Sequence, residues 1–413
     1  MNGAKATGPI PPEFAAGFPA DAWIEQAGGT PLYVYDFGIV RGRIARLRAA
    51  MPPGIDIHYA VKANPYAPLL SAIGALVDGM DVASAGELEK VTAVMTSKSV
   101  SFAGPGKRDV ELEAAITAGA TINLESEGET DRAIAIGERL GVVPRLAVRV
   151  NPDFELRGSG MRMGGRASPF GVDAARVTAL VKRIGAAGAE WRGFHIFSGS
   201  QSLDTAAISE SQAATVALAG RLAEEIDSPP PLVNLGGGFG IPYFAGDEPV
   251  NVEAIGRSLG DQLGRRPAIL SATRFAVELG RWLVGEAGIY LARVVDRKES
   301  GGETFLVVDG GLNHHLAATG NFGTVVRRNY PIAVAGKVGA EPEEIVSVVG
   351  PLCTPLDRLA DRVALPRAEV GDVIAVFASG AYGASASPSA FLGHPPVREL
   401  LVACPSTCAD KAV

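Results

Sequence analysis

The sequence predicts an α/β protein, a closed (β/α)8 barrel of TIM type followed by a β-rich domain of barrel or sandwich form. Three observations predict it. From about residue 55, eight short β-rich runs alternate with longer Ala- and Leu-rich segments of helical period, the rhythm of repeated βα units around a parallel sheet. Polar or glycine-containing chemistry falls at or just after these runs; in a barrel, all strand C-terminal ends share the face where active sites sit. After about residue 285 the long helical segments stop and β-rich runs follow one another. An open, doubly wound sheet would give similar local patterns.

The eight runs are residues 56–60, 79–83, 99–103, 121–124, 145–150, 193–197, 233–235 and 274–278. Most are separated by enough chain for a crossover helix. The second domain is read from runs at 289–294, 304–308, 344–349, 373–377 and 399–402. A further run at 30–34 precedes the barrel and can pair with that domain, which would make it discontinuous. The expected organisation is an N-terminal segment, 1–37, that pairs with the β domain, a barrel over 38–282, and a β-rich domain with a tail over 283–413.

A chain of 413 residues with 47% hydrophobic and 20% charged residues has ample material for two cores. Its net charge of −7, without clustered Lys and Arg, gives no support to a nucleic-acid surface. The longest uncharged stretch, 373–392, is broken by glycines and Pro388, so no membrane span is expected. No basic segment leads into an apolar one at the N-terminus. Three cysteines, Cys353, Cys404 and Cys408, have no framework spacing, which points to a reducing compartment, the cytoplasm. Cys404 and Cys408 lack His or Cys companions, and no metal site is expected.

Lys62 lies in His58-Tyr59-Ala60-Val61-Lys62-Ala63-Asn64, at the end of a buried-looking strand. Desolvation lowers a lysine pKa and frees the amine as a nucleophile; a rim lysine paired with a carboxylate is the alternative. Asn234-Leu235-Gly236-Gly237-Gly238-Phe239-Gly240 follows a strand, and bare backbone there can bring several N–H groups to one anion, although a tight structural turn uses the same glycines. Glu278-Leu279-Gly280-Arg281 offers a carboxylate for a protonated ring nitrogen and a guanidinium for an oxyanion, or a plain salt bridge. His195 can stack on a flat ring or be a satisfied core imidazole. Cys353 can donate a proton or simply fill space. Tyr382, between Gly380-Ala381 and Gly383, can reach an anion through its hydroxyl or merely pack.

Taken in order and spacing, these motifs resemble the fold-type III pyridoxal-phosphate decarboxylases related to diaminopimelate and ornithine decarboxylases. The likeness runs from about Pro31 to Val402. It includes Tyr59-Ala60-Val61-Lys62-Ala63-Asn64, Asp81-Val82-Ala83-Ser84, Arg149-Val150-Asn151-Pro152, the glycine loop, Glu278-x-Gly-Arg281, Gly350-Pro351-Leu352-Cys353 and Gly380-Ala381-Tyr382-Gly383. The resemblance implies pyridoxal 5'-phosphate as cofactor, a barrel that binds it, and a head-to-tail homodimer with shared sites. It implies that Lys62 holds the cofactor as a Schiff base, that His195 stacks on the ring and that Glu278 keeps the ring nitrogen protonated. Ser198, Gly237, Gly238 and Tyr382 would bind the phosphate, with Gly280 beside them. Arg281 would serve phosphate or substrate, Asp81 and Arg149 would line the cofactor, and Cys353 would enter from the partner subunit as proton donor. The chemistry agrees: the electron pair left by carbon dioxide needs a protonated ring as its sink, and the carbon then needs a proton from a donor of modest pKa.

Three departures bear on the substrate. Decarboxylases of basic amino acids carry an acid after the cysteine, where this chain has Thr354. Pro169-Phe170-Gly171 stands where the family places Lys-Phe-Gly opposite an aspartate, here Asp357. Residues 391–396 lack the Tyr-Asn and Arg-Pro-Arg elements of diaminopimelate decarboxylases. The chain more closely resembles the exosortase A system-associated branch, through His195-Ile196-Phe197-Ser198-Gly199-Ser200-Gln201, Arg327-Arg328-Asn329-Tyr330-Pro331 and Cys353-Thr354-Pro355-Leu356-Asp357. A related enzyme acts on a glutamyl group carried by an acyl carrier protein. The expected substrate is therefore an acidic or neutral aminoacyl group, small or carrier-protein-bound, met by Arg281, Arg328, Tyr330, Thr354 and Tyr382. The alternatives are a decarboxylase of free diaminopimelate type, an amino-acid racemase, and a non-catalytic regulator of a decarboxylase.

Overall fold

The computed structural model describes residues 3–154, 161–162, 167–322 and 327–403; Cys404 and Cys408 lie outside them. By contact density the chain divides into two units. One comprises Arg43–Gly240 and Pro249–Gly280, the other Met1–Gly42, Ile241–Glu248 and Arg281–Val413.

The first unit is the expected barrel. Its eight strands are Ile55–Ala60, Gly79–Val82, Val100–Phe102, Thr121–Leu124, Arg145–Asn151, Glu190–Ile196, Leu232–Asn234 and Arg274–Leu279. Each pairs in parallel with the next, and the last closes on the first through Glu278↔His58 and Leu279↔Tyr59. Closure decides against the open sheet. The helices form where apolar side chains recur at helical spacing. In Ala174–Ala186, Val177, Leu180, Val181 and Ile184 are buried on one face, each worth about 1.5–3 kcal/mol of transfer free energy. Several helices start with a side-chain cap directly after a strand: Ser84 accepts from Glu87 N, Ser126 from Glu129 N, and Asp204 from Ala206 N and Ala207 N. Ser84, conspicuous in the sequence beside Asp81, thus serves as a helix cap.

The second unit holds a mixed β sheet around Gly288–Ser300, which pairs with Glu303–Val308, Val373–Val376 and Leu32–Asp36. Leu32–Asp36 also pairs in parallel with Arg398–Val402, so the N-terminal run joins this sheet. Phe14, Ile24, Leu32, Val34, Leu291 and Phe377 form its buried core. Two of its strands are invisible as alternating runs. Ile332–Val334 is three residues long. Arg358–Leu365 pairs with Glu344–Val349 through two register shifts and carries Arg362 at φ 52°, so bulges erase its period of two. The segment Ile241–Glu248, which the sequence places inside a continuous 38–282 barrel, belongs to this unit. Its aromatic residues explain why: Tyr243 lies 4.7 Å from the Tyr330 ring, and Phe244 lies 5.7 Å from it.

Candidate active site

Three of the expected residues meet in the barrel. Lys62 sits in a short 3-10 turn, Val61–Ala63, directly after the first strand. Its Nζ lies 3.8 Å from Glu278 Oε1 and 5.3 Å from the centre of the Phe197 ring. Glu278 comes from the eighth strand and is 6% exposed. Its Oε2 accepts from His195 Nε2 at 2.8 Å, which places that proton on Nε2. Burial opposes the Glu278 charge, but the His195 hydrogen bond, Lys62 and Arg149 outweigh it and hold the carboxyl down at about 2. His195 Nδ1 is buried and has no hydrogen-bond partner among the described residues.

The glycine loop after the seventh strand is bound to the strand that carries Glu278. Glu278 N donates to Gly236 O at 2.8 Å, and Gly236 and Gly238 have φ of 67° and 83°, backbone that glycine adopts without cost. A Cβ on Gly237 would stand 1.9 Å from Glu278 O. Gly280 lets the lysine turn approach: a Cβ there would lie 2.7 Å from Ala63 Cβ. Ser198, expected to hold an anion, shares a 2.7 Å hydrogen bond with Ser211.

Arg149 and Asp81 have partners that the sequence reading missed. Arg149 Nη1 donates to Glu125 Oε1 at 2.8 Å, and its guanidinium lies 5.1 Å from the Phe170 ring. Glu125 directly follows the fourth strand and Glu129 lies in the capped first turn of the next helix; Glu125 N donates to Glu129 Oε2. Glu129 pairs in turn with Lys107 at 2.8 Å, the two side chains 3% and 1% exposed. Breaking such a buried pair on one side costs about 3–5 kcal/mol. Asp81 Oδ2 accepts from His58 Nδ1 at 3.1 Å. No local pattern in the sequence singled out Glu125 or gave His58 a role.

In the other unit a second group gathers. Arg281 Nη1 donates to the Tyr243 hydroxyl at 2.8 Å, and its guanidinium lies 5.4 Å from the Tyr243 ring and 4.6 Å from the Tyr382 ring. Its Nε is buried without a partner among the described residues. Tyr382 is held at φ 54°. Tyr330 packs on Tyr243. Arg328 is more peripheral, exposed, 3.9 Å from the Phe244 ring centre and 3.8 Å from Asp247. Nothing in the sequence singled out Tyr243, an aromatic in a long connection.

Cys353 is exposed. Its loop is fixed by Asp357, which accepts from Leu352 N at 2.8 Å and Leu312 N at 2.6 Å. Thr354 contributes local turn bonds, Thr354 N donating to Leu352 O and Leu356 N to Thr354 Oγ1. Among the described residues no cluster of His, Cys, Asp and Glu could hold a metal ion, and no helix is long and apolar enough to cross a membrane.

Residues 38–285 match the family model described as pyridoxal-dependent decarboxylase, pyridoxal binding domain. The L-glutamyl-(BtrI acyl-carrier protein) decarboxylase of Niallia circulans is 36% identical over 379 residues, 90% of this chain and 88% of that protein. The diaminopimelate decarboxylase of Archaeoglobus fulgidus is 33% identical over 382 residues, 92% of this chain and 89% of that protein. Among solved structures, the Helicobacter pylori diaminopimelate decarboxylase complexed with L-lysine matches with TM-score 0.80 at 27% identity, covering 92% of this chain and 94% of that one.

Proposed function

Since the chain belongs to the fold-type III pyridoxal-dependent decarboxylases, we propose that it removes the carboxylate of an acidic or neutral aminoacyl group, carried as a thioester on a carrier protein, rather than that of a free basic amino acid. Its cofactor is pyridoxal phosphate, and the barrel residues fit that group. A lysine amine stands beside a buried carboxylate, a buried imidazole nitrogen lacks a partner among the described residues, and a glycine loop leaves no room for side chains.

When bound, pyridoxal phosphate supplies the electron sink for the pair left as carbon dioxide departs. In this reading Lys62 forms the covalent link through Nζ. Glu278, held at low pKa, presents a carboxylate that keeps a ring nitrogen protonated. His195 orients Glu278 and covers the ring, with Arg149 and Asp81 lining the same end of the barrel. Ser198, Gly237 and Gly238 offer donors to phosphate, joined by Tyr382, while Arg281 serves phosphate or a substrate carboxylate. Cys353 Sγ–H, from the partner subunit of a homodimer, protonates the carbon that lost carbon dioxide.

The observation that carries the substrate is Thr354. It occupies the place after Cys353 with a neutral hydroxyl already engaged in its own turn, so no carboxylate is offered there to a distal ammonium. The relative that acts on a carrier-bound L-glutamyl group points the same way. The test is carbon dioxide release from a glutamyl thioester of an acyl-carrier protein, beside free diaminopimelate, ornithine, lysine and arginine. Release from the thioester alone is expected, and rapid turnover of any free basic amino acid overturns the substrate assignment. Lys62→Ala should lose both the visible absorbance of bound cofactor and the activity.

A further inference from the structure

His58 is buried, titratable and unused by the chemistry above. It stands in the first barrel strand with Gly79 beside it on one neighbouring strand and Glu278 beside it on the other. Residues directly opposite on adjacent strands project to the same face, so His58 and Glu278 share the barrel interior. Gly79 makes the room: a Cβ there would lie 2.7 Å from His58 Nε2. His58 Nδ1 meets Asp81 Oδ2, while Asp81 Oδ1 is buried with no partner among the described residues.

Below this layer, among the N-terminal ends of the strands, lies a cavity of about 110 Å³. His58 lines it together with Ser101, Asn123 and Asn234. A buried water needs about 10–15 Å³ of such space and a few polar partners, so the chamber is roomy and polar enough for several. His58 therefore borders a polar chamber at one end of the barrel and contacts Asp81, which the proposed function sets beside the cofactor.

We propose that His58 is a proton-holding positioning residue, which fixes Asp81 and offsets the carboxylate charge around Lys62, and which exchanges its proton through the chamber at the N-terminal mouth rather than through the mouth that receives substrate. The charged groups that bear on it are Asp81 and Asp78 from the second strand and the turn before it, Glu278 and Arg274 from the eighth, and Asp56 on its own strand. Lys98 and Arg192 line the chamber. Asp56 is tied to Arg274 at 2.6 Å and Asp78 to Arg48 at 3.0 Å, and Glu278 is already held by His195 and Lys62, which leaves Asp81 as the near carboxylate that His58 balances. Burial works against an imidazolium here, but Asp81, with Asp56 and Glu278 behind it, outweighs burial and His58 titrates above the ordinary histidine value.

The inference rests on Lys62 binding the cofactor, and its test reads the cofactor's visible absorbance against pH in the holoenzyme without substrate. His58→Gln keeps a donor for Asp81 and removes the positive charge; His58→Phe removes both. Without that charge the nitrogen on Lys62 holds its proton to higher pH, so in both variants the spectral midpoint should move upward by roughly half a unit or more. His58→Phe should also bind pyridoxal phosphate about tenfold more weakly on reconstitution, because Asp81 is no longer fixed. A His58→Gln profile superimposable on the wild-type one, or shifted downward, overturns the proposal while leaving the cofactor assignment standing. Wild-type protein without any visible band removes both. Should His58→Phe not fold, the His58→Gln profile decides alone.

Discussion

Glu278 meets a lysine amine and an imidazole N–H while being almost wholly enclosed, and its titration is a property of that arrangement. Its folded pKa, about 2, lies below the ordinary carboxylate value of 4.5. A depressed folded pKa contributes stability above the unfolded value, and that contribution is lost as pH falls towards the folded one. Cofactor-free wild-type protein should thus lose roughly 3 kcal/mol through this group between pH 5 and about 2, measured by urea unfolding at stepped pH. Glu278→Gln should flatten that part of the profile, and in the holoenzyme should lower kcat by about a hundredfold or more, because the proposed charged partner of the ring is lost. Glu278, Lys62 and His195 were legible in the sequence because a barrel collects its strand ends on one face. His58 was not, although it stands in the same motif as Lys62. Its meaning depends on register, which sets it against Gly79 and Glu278, and register is a long-range property that no local pattern carries.

The elements that hold the site are short and crowded, and the glycine loop shows what crowding costs. Gly237→Ala would force a methyl to within 1.9 Å of the Glu278 carbonyl unless the loop moves off the eighth strand. Overpacking of this kind costs about 1–3 kcal/mol, and here the displaced backbone carries Glu278, the carboxylate proposed to serve the cofactor. The variant should melt at a lower temperature and bind pyridoxal phosphate more weakly, with a larger effect on cofactor affinity than Gly106→Ala, at a site where a Cβ meets nothing. Equal losses in the two variants would show that the loop does not shape the cofactor site. At this scale the sequence was readable wherever periodicity survives: all eight barrel strands coincide with β-rich runs to within a few residues. It was unreadable at Arg358–Leu365, where two register shifts break the alternation. It was unreadable again at Ile241–Glu248, whose allegiance is settled by Tyr243 and Phe244 packing on Tyr330, about ninety residues away in the chain.

At the scale of the whole molecule, the residues proposed for the chemistry divide between the two units. Lys62, His195 and Glu278 belong to the barrel unit, while Arg281, Tyr382 and Cys353 belong to the other. Cys353 is exposed on a loop that Asp357 pins through two backbone amides, so its thiol is presented rather than stored in a core. If that thiol serves the partner subunit's Lys62, two inactive variants should repair each other. Lys62→Ala lacks the cofactor link and Cys353→Ala lacks the proton donor; a mixed dimer then contains one site with both residues intact. Random re-pairing at equal concentration makes about half the dimers mixed, so amine product should return to about a quarter of the wild-type rate. A proton donor acting within its own chain would leave every site in a mixed dimer defective. The assay therefore separates the two arrangements directly: recovery of activity on mixing requires the shared site, and its absence, with mixed dimers confirmed by differential tagging, requires that Cys353 be removed from the mechanism or returned to its own subunit.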